Sequence, residues 1–379
     1  MKQIIKVIVY VVSYSITFLL GILIPKNKHI VLFGANYGLS YRGNSKTLFE
    51  HMLNNSKYKV YYMIRDKKKL KEFGHKNANI KYLYSIQSIF IFLRSKTICV
   101  TNGYADFIGY APNPWQNWVY LGHGVGTKSL GYLSKNTTIQ QKIRMKLMQR
   151  MYFIVTSDFD KFMFSAMYMH NPQKIIVAGY PRTDSLFIEE KDKENTMILF
   201  APTYRSEGVH HLFGFNDENY QDIQSFLVKN NINLHIRFHP SNSVEPDTPI
   251  ASFLSMNNII NLNSDVVDDI QSFLPKMDIL ITDYSSISRD FLLLDRPIIF
   301  ITNNLEKSKH ISLPIREEFA FCGYRVKTLR ELFNAIQEIL TGKDKYRELR
   351  NFVKLLTYNY VDNHSCDRIT ELIDKWNHL

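Results

Sequence analysis

Short apolar runs that each end in a polar loop recur along this chain of 379 residues, and they constrain the fold more than any other feature. "HIVLF", "KTICV", "MILF" and "DILIT" are four such runs, and segments with helical character separate them. Strands that alternate with helices predict a parallel α/β sheet. With 45% apolar residues, a chain of this length can fill two domains of ordinary size.

The segment "IEEKDKENT", residues 188–196, separates two such series of strands and helices. It lacks apolar periodicity and lies where the local charge changes from basic to acidic. We therefore predict an N-terminal α/β domain over residues 26–188 and a C-terminal α/β domain over residues 196–379, which ends in helices. Residues 1–25 form an apolar segment ahead of both domains.

The N-terminal segment Val7–Ile24 is uncharged and has lysines on both flanks. It is about as long as the ~20 residues that cross a bilayer, and it has no small-residue cleavage site of a signal peptide. A buried core helix would not normally be apolar on every side. We predict a membrane-anchoring helix over residues 1–25, either as a span or as a helix that lies in one face of the membrane.

The basic residues are concentrated in the N-terminal half. The first 156 residues contain 23 Lys and Arg but only four Asp and Glu, although the whole chain has a net charge of +12. This asymmetry indicates a polyanionic partner, either nucleic acid or an anionic membrane. In Gln141–Arg150, basic and apolar residues fall on separate helical stripes, which is typical of a helix on an anionic surface and equally of a core-facing helix.

The apolar N-terminus favours an anionic membrane surface as the partner, and the chain has no aromatic-basic motif for nucleic acid. We expect the protein at the cell membrane, with its catalytic part on the cytoplasmic side. Three scattered cysteines fit neither a disulfide framework nor a zinc site. The sequence requires no cofactor, and it leaves open both a divalent metal and the oligomeric state.

The stretch "DILITDYSSISRD" places hydroxyl and acidic side chains where a strand ends and a helix begins. Thr282, Asp283, Ser285 and Ser286 are the residues of interest. The start of a helix offers unpaired N–H groups to an anion, so this loop predicts a phosphate site. The alternative is that the hydroxyls only cap the helix, for which one of them would suffice.

A second loop, "YLGHGVGTK", places His123 between glycines directly after an apolar run. Glycine lets the backbone approach a ligand closely, and an imidazole can accept a proton at neutral pH. The glycines lack the spacing of a dinucleotide-binding fingerprint. The segment alone fits a catalytic histidine and a structural one equally well.

Other predicted strands also end in cationic and hydroxyl side chains. His239 ends "IRFHP", Thr203 and Arg205 lie in "FAPTYRS", and Arg182 lies in "AGYPRTDSL". Each residue alone fits an ion pair or a turn. Their recurrence at strand after strand predicts a polyphosphate site.

The motifs "HGVGTK", "GYPRTD", "APTYR", "RFHP" and "DILITDYSSISRDFLLLDRPIIF", in this order and spacing, resemble the CDP-glycerol glycerophosphotransferase family. That family comprises the teichoic-acid primases and polymerases and related capsule enzymes. The resemblance covers roughly residues 119–300. It implies a GT-B fold, in which two Rossmann-like domains face a cleft, the C-terminal domain holds the nucleotide, and the acceptor approaches from the N-terminal domain.

The resemblance also implies roles for individual residues. His123 matches the catalytic base, and Arg205 and His239 match groups that hold the donor pyrophosphate and offset charge as CMP leaves. Asp283, Ser285 and Ser286 match the donor loop. From their position at the ends of predicted strands, we also assign Arg182, Thr203 and Thr282 to donor binding. Asp290 matches an acid just inside the following helix, to which we assign a catalytic role.

Two cations have an unassigned part in specificity. Arg289 stands where familiar family members carry an aromatic residue, so it predicts contact with a different polyol or sugar phosphate. Lys128 ends the "HGVGTK" motif, and its role is equally open. No metal-ligating residues are predicted.

These observations predict an enzyme that transfers glycerol phosphate, or a similar polyol phosphate, from a CDP-linked donor to a hydroxyl of a lipid-linked or growing cell-surface glycan. The first alternative is a GT-B glycosyltransferase that uses a nucleotide sugar in capsule or cell-wall polysaccharide synthesis. The second is a membrane-tethered protein that binds nucleic acid. Primase and polymerase, and glycerol and ribitol, are not distinguished.

Overall fold

The fold is taken from a computed structural model. It describes residues 2–124, 131–133, 137–188, 194–204, 211–239, 242, 244, 248–267, 269–303 and 317–378. The chain divides into two compact units. Unit 1 contains the chain up to His123, Gly131–Asp184 and the chain from Asp362 onward, and unit 2 contains Gly124–Leu130 and Ser185–Val361.

Within the described residues, unit 1 contains a seven-stranded sheet in which every pair of neighbouring strands is parallel. The strand order is β3-β2-β1-β4-β5-β6-β7, and its first six positions follow the Rossmann order. Fully buried runs such as Val31–Phe33 and Ile98–Val100 form its interior, as expected for a sheet covered on both faces. The strands are β1 (Asn27–Phe33), β2 (Lys59–Ile64), β3 (Ile80–Tyr82), β4 (Ser95–Val100), β5 (Asn117–Tyr120), β6 (Tyr152–Val155) and β7 (Ile175–Val177).

Several helices of unit 1 begin at side chains that accept backbone N–H bonds. The Ser85, Thr138 and Ser157 hydroxyls each cap the helix that follows, and Thr138 forms a capping box with Gln141. These helices are α1 (Lys2–Leu23), α2 (Gly43–Asn55), α3 (Lys67–Gly74), α4 (Ile86–Arg94), α5 (Ile139–Met148) and α6 (Asp158–Tyr168).

Unit 2 repeats the same design over the part of it that is described. Its six-stranded parallel sheet has the order β10-β9-β8-β11-β12-β13, which is again the Rossmann order. The strands are β8 (Thr196–Phe200), β9 (Ile232–Ile236), β10 (Ile259–Asn261), β11 (Ile279–Thr282), β12 (Ile298–Ile301) and β13 (Tyr324–Val326). The helices are α7 (Tyr220–Lys229), α8 (Pro249–Leu254), α9 (Ile287–Phe291), α10 (Glu317–Ala320), α11 (Leu329–Leu340) and α12 (Arg347–Thr357). The predicted α/β class is confirmed.

The last helix, α13 (Ser365–His378), lies in unit 1, whereas the sequence analysis placed it in the C-terminal domain. The carboxylate of Asp184 explains this position. It accepts the backbone N–H groups of Ser365 at 3.1 Å and Cys366 at 2.8 Å and so caps the start of α13. The Thr97 hydroxyl and the Lys28 carbonyl hold Asn377 at the other end of the helix.

The predicted N-terminal helix is present as α1, but it does not support a membrane span. Within the described residues no helix combines the length and apolar character needed to traverse a bilayer. One side of α1 packs on unit 1 through small residues: Thr17 is buried and its hydroxyl accepts the Ala111 N–H, and Gly21 lies against Asn113. The prediction of a spanning anchor is therefore not supported.

Candidate active site

The loops after β1 and β4 meet in unit 1 at the point where the strand order reverses, and a buried carboxylate joins them. Asp106 is completely buried and accepts backbone N–H bonds from Tyr37 at 2.6 Å, Thr101 at 2.7 Å and Asn102 at 2.8 Å. In open α/β sheets, ligands bind in the crevice at this reversal point. Asp106 thus fixes the backbone that forms the floor of the crevice in unit 1.

These bonds hold backbone in an uncommon conformation. Asn36 and Tyr37 have φ angles of 47° and 59°, in the left-handed region that non-glycine residues rarely adopt. The Asn36 N–H donates to the Thr101 hydroxyl at 3.2 Å and to the Asn102 side chain at 3.1 Å. Such conformations cost of order 1–3 kcal/mol each and persist where the surroundings enforce them, often at functional sites.

His123 lies beside this crevice, in the loop that follows β5. Its Nδ1 is 3.4 Å from the Thr101 carbonyl oxygen, and because a carbonyl only accepts, this contact favours the ring form that carries its proton on Nδ1. Nε2 is then the nitrogen that can accept a proton. Gly122 and Gly124 on either side have φ angles of 65° and 151°, which explains the need for glycine there.

The environment of His123 favours a neutral imidazole. The side chain reaches solvent, but the surrounding protein atoms desolvate it, which lowers its pKa from 6.5. The positive charges of Arg182, Arg144 and Arg42 lower the pKa further, and the bond to Thr101 opposes these effects. A neutral imidazole near pH 7 has the protonation state that a general base requires.

Asn44, which the sequence analysis passed over, and Arg182 connect the His123 loop to the rest of unit 1. The Asn44 amide donates to the carbonyls of Leu121 at 2.8 Å and Gly122 at 3.2 Å, and its oxygen accepts the Arg182 N–H at 3.1 Å. The Arg182 guanidinium donates to the His123 carbonyl at 2.8 Å. Asn44 is the second residue of α2, and Asp106 lies in a short 3₁₀ turn after β4. Their position on the connections that follow two predicted strands was the available signal for them.

The pKa of the imidazole is directly testable by NMR titration of the His123 ring protons. We expect a value below 6.5 in the unmodified protein. Arg144→Gln should raise it, because the substitution removes a positive charge that disfavours the imidazolium form. Arg150→Gln removes a charge near the end of the same helix and should leave the value unchanged. A value at or above 6.5 in the unmodified protein would contradict this description of the site.

The role of Asp106 can be tested by Asp106→Asn. The asparagine side chain has only one acceptor oxygen, and its NH₂ group would face backbone N–H groups that are themselves donors. Each buried N–H left unpaired costs roughly 1–3 kcal/mol. We expect the free energy of unfolding, measured by chemical denaturation, to fall by roughly 2–4 kcal/mol. Asp66→Asn is the control, since Asp66 caps the surface helix α3 by accepting two N–H bonds, and its loss should cost about 1 kcal/mol or less. Equal losses in the two variants would contradict the proposed role.

Unit 2 has a similar carboxylate bridge at its own reversal point. Asp283, after β11, accepts the Thr203 N–H at 3.0 Å and the Thr203 hydroxyl at 2.7 Å, and Thr203 follows β8. The Thr282 side chain is fully buried and donates to the Ala201 carbonyl at 2.6 Å. Thr282 therefore connects the ends of β8 and β11 beneath the loop that follows β11. Thr203 and Asp283 lie at the edge of that loop.

The two serines of this loop do not cap a helix through their side chains. Ser286 directly precedes α9, and its hydroxyl makes no capping bond to the helix. The N–H and the hydroxyl of Ser288 donate to the backbone carbonyl of Ser285 and not to its side chain. Both side chains are partly exposed. However, α9 has only five residues, so its dipole contributes less than the sequence analysis assumed.

The remaining predicted site residues fall into different places. His239 is exposed and its ring lies 5.5 Å from that of Tyr204, beside Thr203. Arg182 belongs to unit 1, whereas the other described residues predicted to bind the donor belong to unit 2. Arg205 and Lys128 lie outside the described residues.

Arg289 and Asp290 point into unit 2 rather than into the loop. The Arg289 guanidinium is 3% exposed and donates to the Phe319 carbonyl at 3.2 Å. Asp290 is completely buried and accepts from the Gln271 amide at 2.8 Å and from the Tyr358 hydroxyl at 3.4 Å. Both side chains are buried behind the loop and do not face the place where the sequence analysis expected a ligand. The specificity role of Arg289 and the catalytic role of Asp290 stay predictions. Among the residues that the structure describes, no cluster of His, Cys, Asp or Glu could hold a metal ion.

Comparison with known proteins identifies a family, related sequences and a shared fold. The family model described as CDP-Glycerol:Poly(glycerophosphate) glycerophosphotransferase matches residues 16–375. A teichoic acid poly(glycerol phosphate) polymerase of Bacillus spizizenii is 25% identical over 355 residues, which cover 86% of this chain and 87% of the relative. A teichoic acid glycerol-phosphate transferase of Staphylococcus aureus is 24% identical over 389 residues, which cover 92% and 94%. The solved structure of the wall teichoic acid polymerase TagF matches with a TM-score of 0.74 and 17% identity, over 93% of this chain and 90% of that one, and it shows a shared GT-B-like fold.

Proposed function

The chain belongs to the CDP-glycerol:poly(glycerophosphate) glycerophosphotransferase family, and from this premise we propose that it transfers glycerol phosphate, or a similar polyol phosphate, from a CDP-activated donor to a hydroxyl of a lipid-linked or growing cell-surface glycan. CMP is the second product. The observation that carries the proposal is the contact of the His123 Nδ1 with the Thr101 carbonyl beside the crevice of unit 1, in surroundings that lower the pKa of the imidazole. One of the solved TagF structures was soaked with CDPG, which supports a donor of this class.

The reaction requires one proton transfer and one exchange of bonds at phosphorus. Nε2 of His123 takes the proton of the acceptor hydroxyl, and the oxygen attacks the phosphorus that carries the glycerol. A new P–O bond forms as the bond to the CMP oxygen breaks, and CMP leaves with the electron pair. Positioning and charge stabilisation dominate such phosphoryl transfers, so a nucleophilic side chain is not needed.

Unit 2 supplies the groups that bind the donor. The exposed His239 ring, Thr203 and the partly exposed hydroxyls of Ser285 and Ser286 lie in loops at the carboxyl edge of its sheet. The Asp283 bridge fixes the loop after β8 relative to the loop after β11, so the bound diphosphate meets donors that are already positioned. This pre-positioning lowers the entropy cost of binding.

Product analysis tests the proposed reaction. The unmodified protein should release CMP from CDP-glycerol and transfer the phosphate to a lipid-linked disaccharide. His123→Ala should reduce kcat by about 10²–10⁴-fold, the usual contribution of a general base, and leave the Kd for CDP-glycerol largely unchanged. The double variant Ser285→Ala and Ser286→Ala should raise that Kd, because it removes two hydroxyl donors. Release of UDP from a nucleotide sugar, without CMP release from any CDP-polyol, would overturn the proposal in favour of a glycosyltransferase.

We extend the proposal to the acceptor and its surroundings: a lipid-linked acceptor at the cytoplasmic face of the cell membrane, reached by unit 1 bound to an anionic membrane surface. Exposed apolar side chains support it. On α1, Leu19 and Leu23 are 61% and 77% exposed, and on α4, Ile86 is 87% exposed. On α5, Ile143 and Leu147 are exposed instead of facing the core, which favours the surface interpretation of this basic helix.

Vesicle sedimentation tests the membrane contact. Leu19→Ser with Leu23→Ser should weaken binding to vesicles that contain phosphatidylglycerol by about tenfold or more, because two large apolar side chains no longer enter the lipid. Leu355→Ser is the matched control, since Leu355 is 68% exposed but lies in unit 2. Equal binding by the double variant and the control would contradict the proposed contact surface.

A further inference from the structure

A groove of about 510 Å³ lies in unit 1 where α1 ends, at the edge of the sheet where the strands begin. Lys28 and Lys96 line it from the second positions of β1 and β4, and Trp115 lines it from two positions before β5. His123 follows β5, so the groove and the crevice beside His123 lie at opposite edges of one parallel sheet. The groove is therefore separate from the candidate active site.

Lys26 fixes the floor of this groove. Its Nζ donates to the carbonyls of Gly21 at 2.8 Å and Ile24 at 3.1 Å, at the end of α1, and to the carbonyl of Leu93 at 2.6 Å, near the end of α4. A cation at these carbonyls offsets the negative end of the α1 dipole and joins the ends of the two helices. The groove thus has a defined shape before any ligand binds.

Lys28 and Lys96 supply positive charge to the groove, and within the described residues neither forms an ion pair with a carboxylate. The Lys96 Nζ donates to the Trp115 carbonyl at 3.3 Å, and the Lys28 Nζ is 3.4 Å from Nδ1 of His378. Asp374 lies on the other side of the His378 ring, 3.6 Å from its Nε2. Both ammonium groups therefore have charge to offer to an anion.

Apolar surface continues from the groove along α1. Val12, Ile16, Leu19 and Leu23 are all exposed, and their spacing of four, three and four residues places them in one stripe along the helix. Leu23 also lines the groove, where the exposed indole of Trp115 extends the stripe. Tryptophan and lysine beside an apolar surface are typical of the boundary between lipid tails and headgroups.

We propose that this groove binds the phosphate headgroup of an anionic phospholipid, whose acyl chains lie along the exposed stripe of α1. Lys28 and Lys96 bind the phosphate, and Trp115 packs against the start of the acyl chains. This inference rests on the membrane contact proposed for unit 1 and adds a discrete headgroup site to it. A free phosphate leaves the stripe uncovered, and a second copy related by twofold symmetry brings the same lysines against this face. A phospholipid satisfies both the charge and the apolar surface.

Titration of the full chain with dihexanoyl phosphatidylglycerol, below its micelle concentration, tests the site without a bilayer. Tryptophan emission is the readout, because Trp115 is 61% exposed whereas Trp118 is buried and Trp376 is partly buried. The bound lipid should shift the emission to shorter wavelength, and Trp115→Phe should abolish the shift. Lys28→Gln with Lys96→Gln should raise the Kd by about tenfold or more, because two charges near the phosphate are lost.

Lys68→Gln with Lys71→Gln is the matched control, because it removes two exposed charges from α3 of the same unit and should leave the Kd within about twofold. Thermal unfolding verifies that all variants remain folded. Equal Kd values in the two double variants would indicate diffuse attraction and overturn the inference. An equal emission shift with glycerol phosphate alone would assign the groove to free phosphate. A dimer in sedimentation that only the groove variant loses would assign it to a second copy.

Vesicle sedimentation separates this inference from the membrane contact on which it rests. Failure of the unmodified protein to sediment with phosphatidylglycerol vesicles would overturn the membrane contact, and the headgroup site with it. Sedimentation with the vesicles but no binding of the short-chain lipid would overturn the headgroup site alone. Release of CMP from CDP-glycerol tests the proposed reaction independently of both.

Discussion

Parallel pairing of neighbouring strands is the constraint on which the candidate site depends. It brings the carboxyl ends of all strands of a sheet to one edge, and the reversal of strand order leaves the loops after the first and fourth strands of each unit side by side. A carboxylate joins these loops in both units: Asp106 accepts the Tyr37 N–H, and Asp283 accepts the Thr203 N–H. Each carboxylate satisfies backbone donors that the ends of the strands leave unpaired.

The two bridges differ in burial, and this difference suits different tasks. Asp106 is completely sealed in unit 1, where burial raises its pKa although three backbone N–H bonds oppose the rise. It holds the Thr101 carbonyl that orients the imidazole of His123. Asp283 is partly exposed and holds a loop whose hydroxyls reach solvent. A base needs a fixed ring orientation, whereas a donor site needs polar groups that a ligand can reach.

The sequence predicted what depends on local order and missed what depends on distant contacts. Strand periodicity placed His123 and Asp283 correctly at strand ends. Asn44 and Asp106 escaped notice because their partners lie 77 and 69 residues away along the chain. The inward orientation of Arg289 depends in turn on carbonyls 30 and 31 residues further on. The position of the last helix could not be predicted from local sequence for the same reason, since its cap comes from a residue 181 positions earlier along the chain.

The charges around His123 in unit 1 influence which protonation state its imidazole adopts. Desolvation and neighbouring guanidinium groups lower the pKa of the His123 imidazole, which favours the neutral form that a base needs but weakens its hold on a proton. The contact with the Thr101 carbonyl acts in the opposite direction and also fixes the ring. The orientation and the protonation state of the proposed base therefore depend on the same backbone segment, which the Asp106 carboxylate holds in place before any substrate binds.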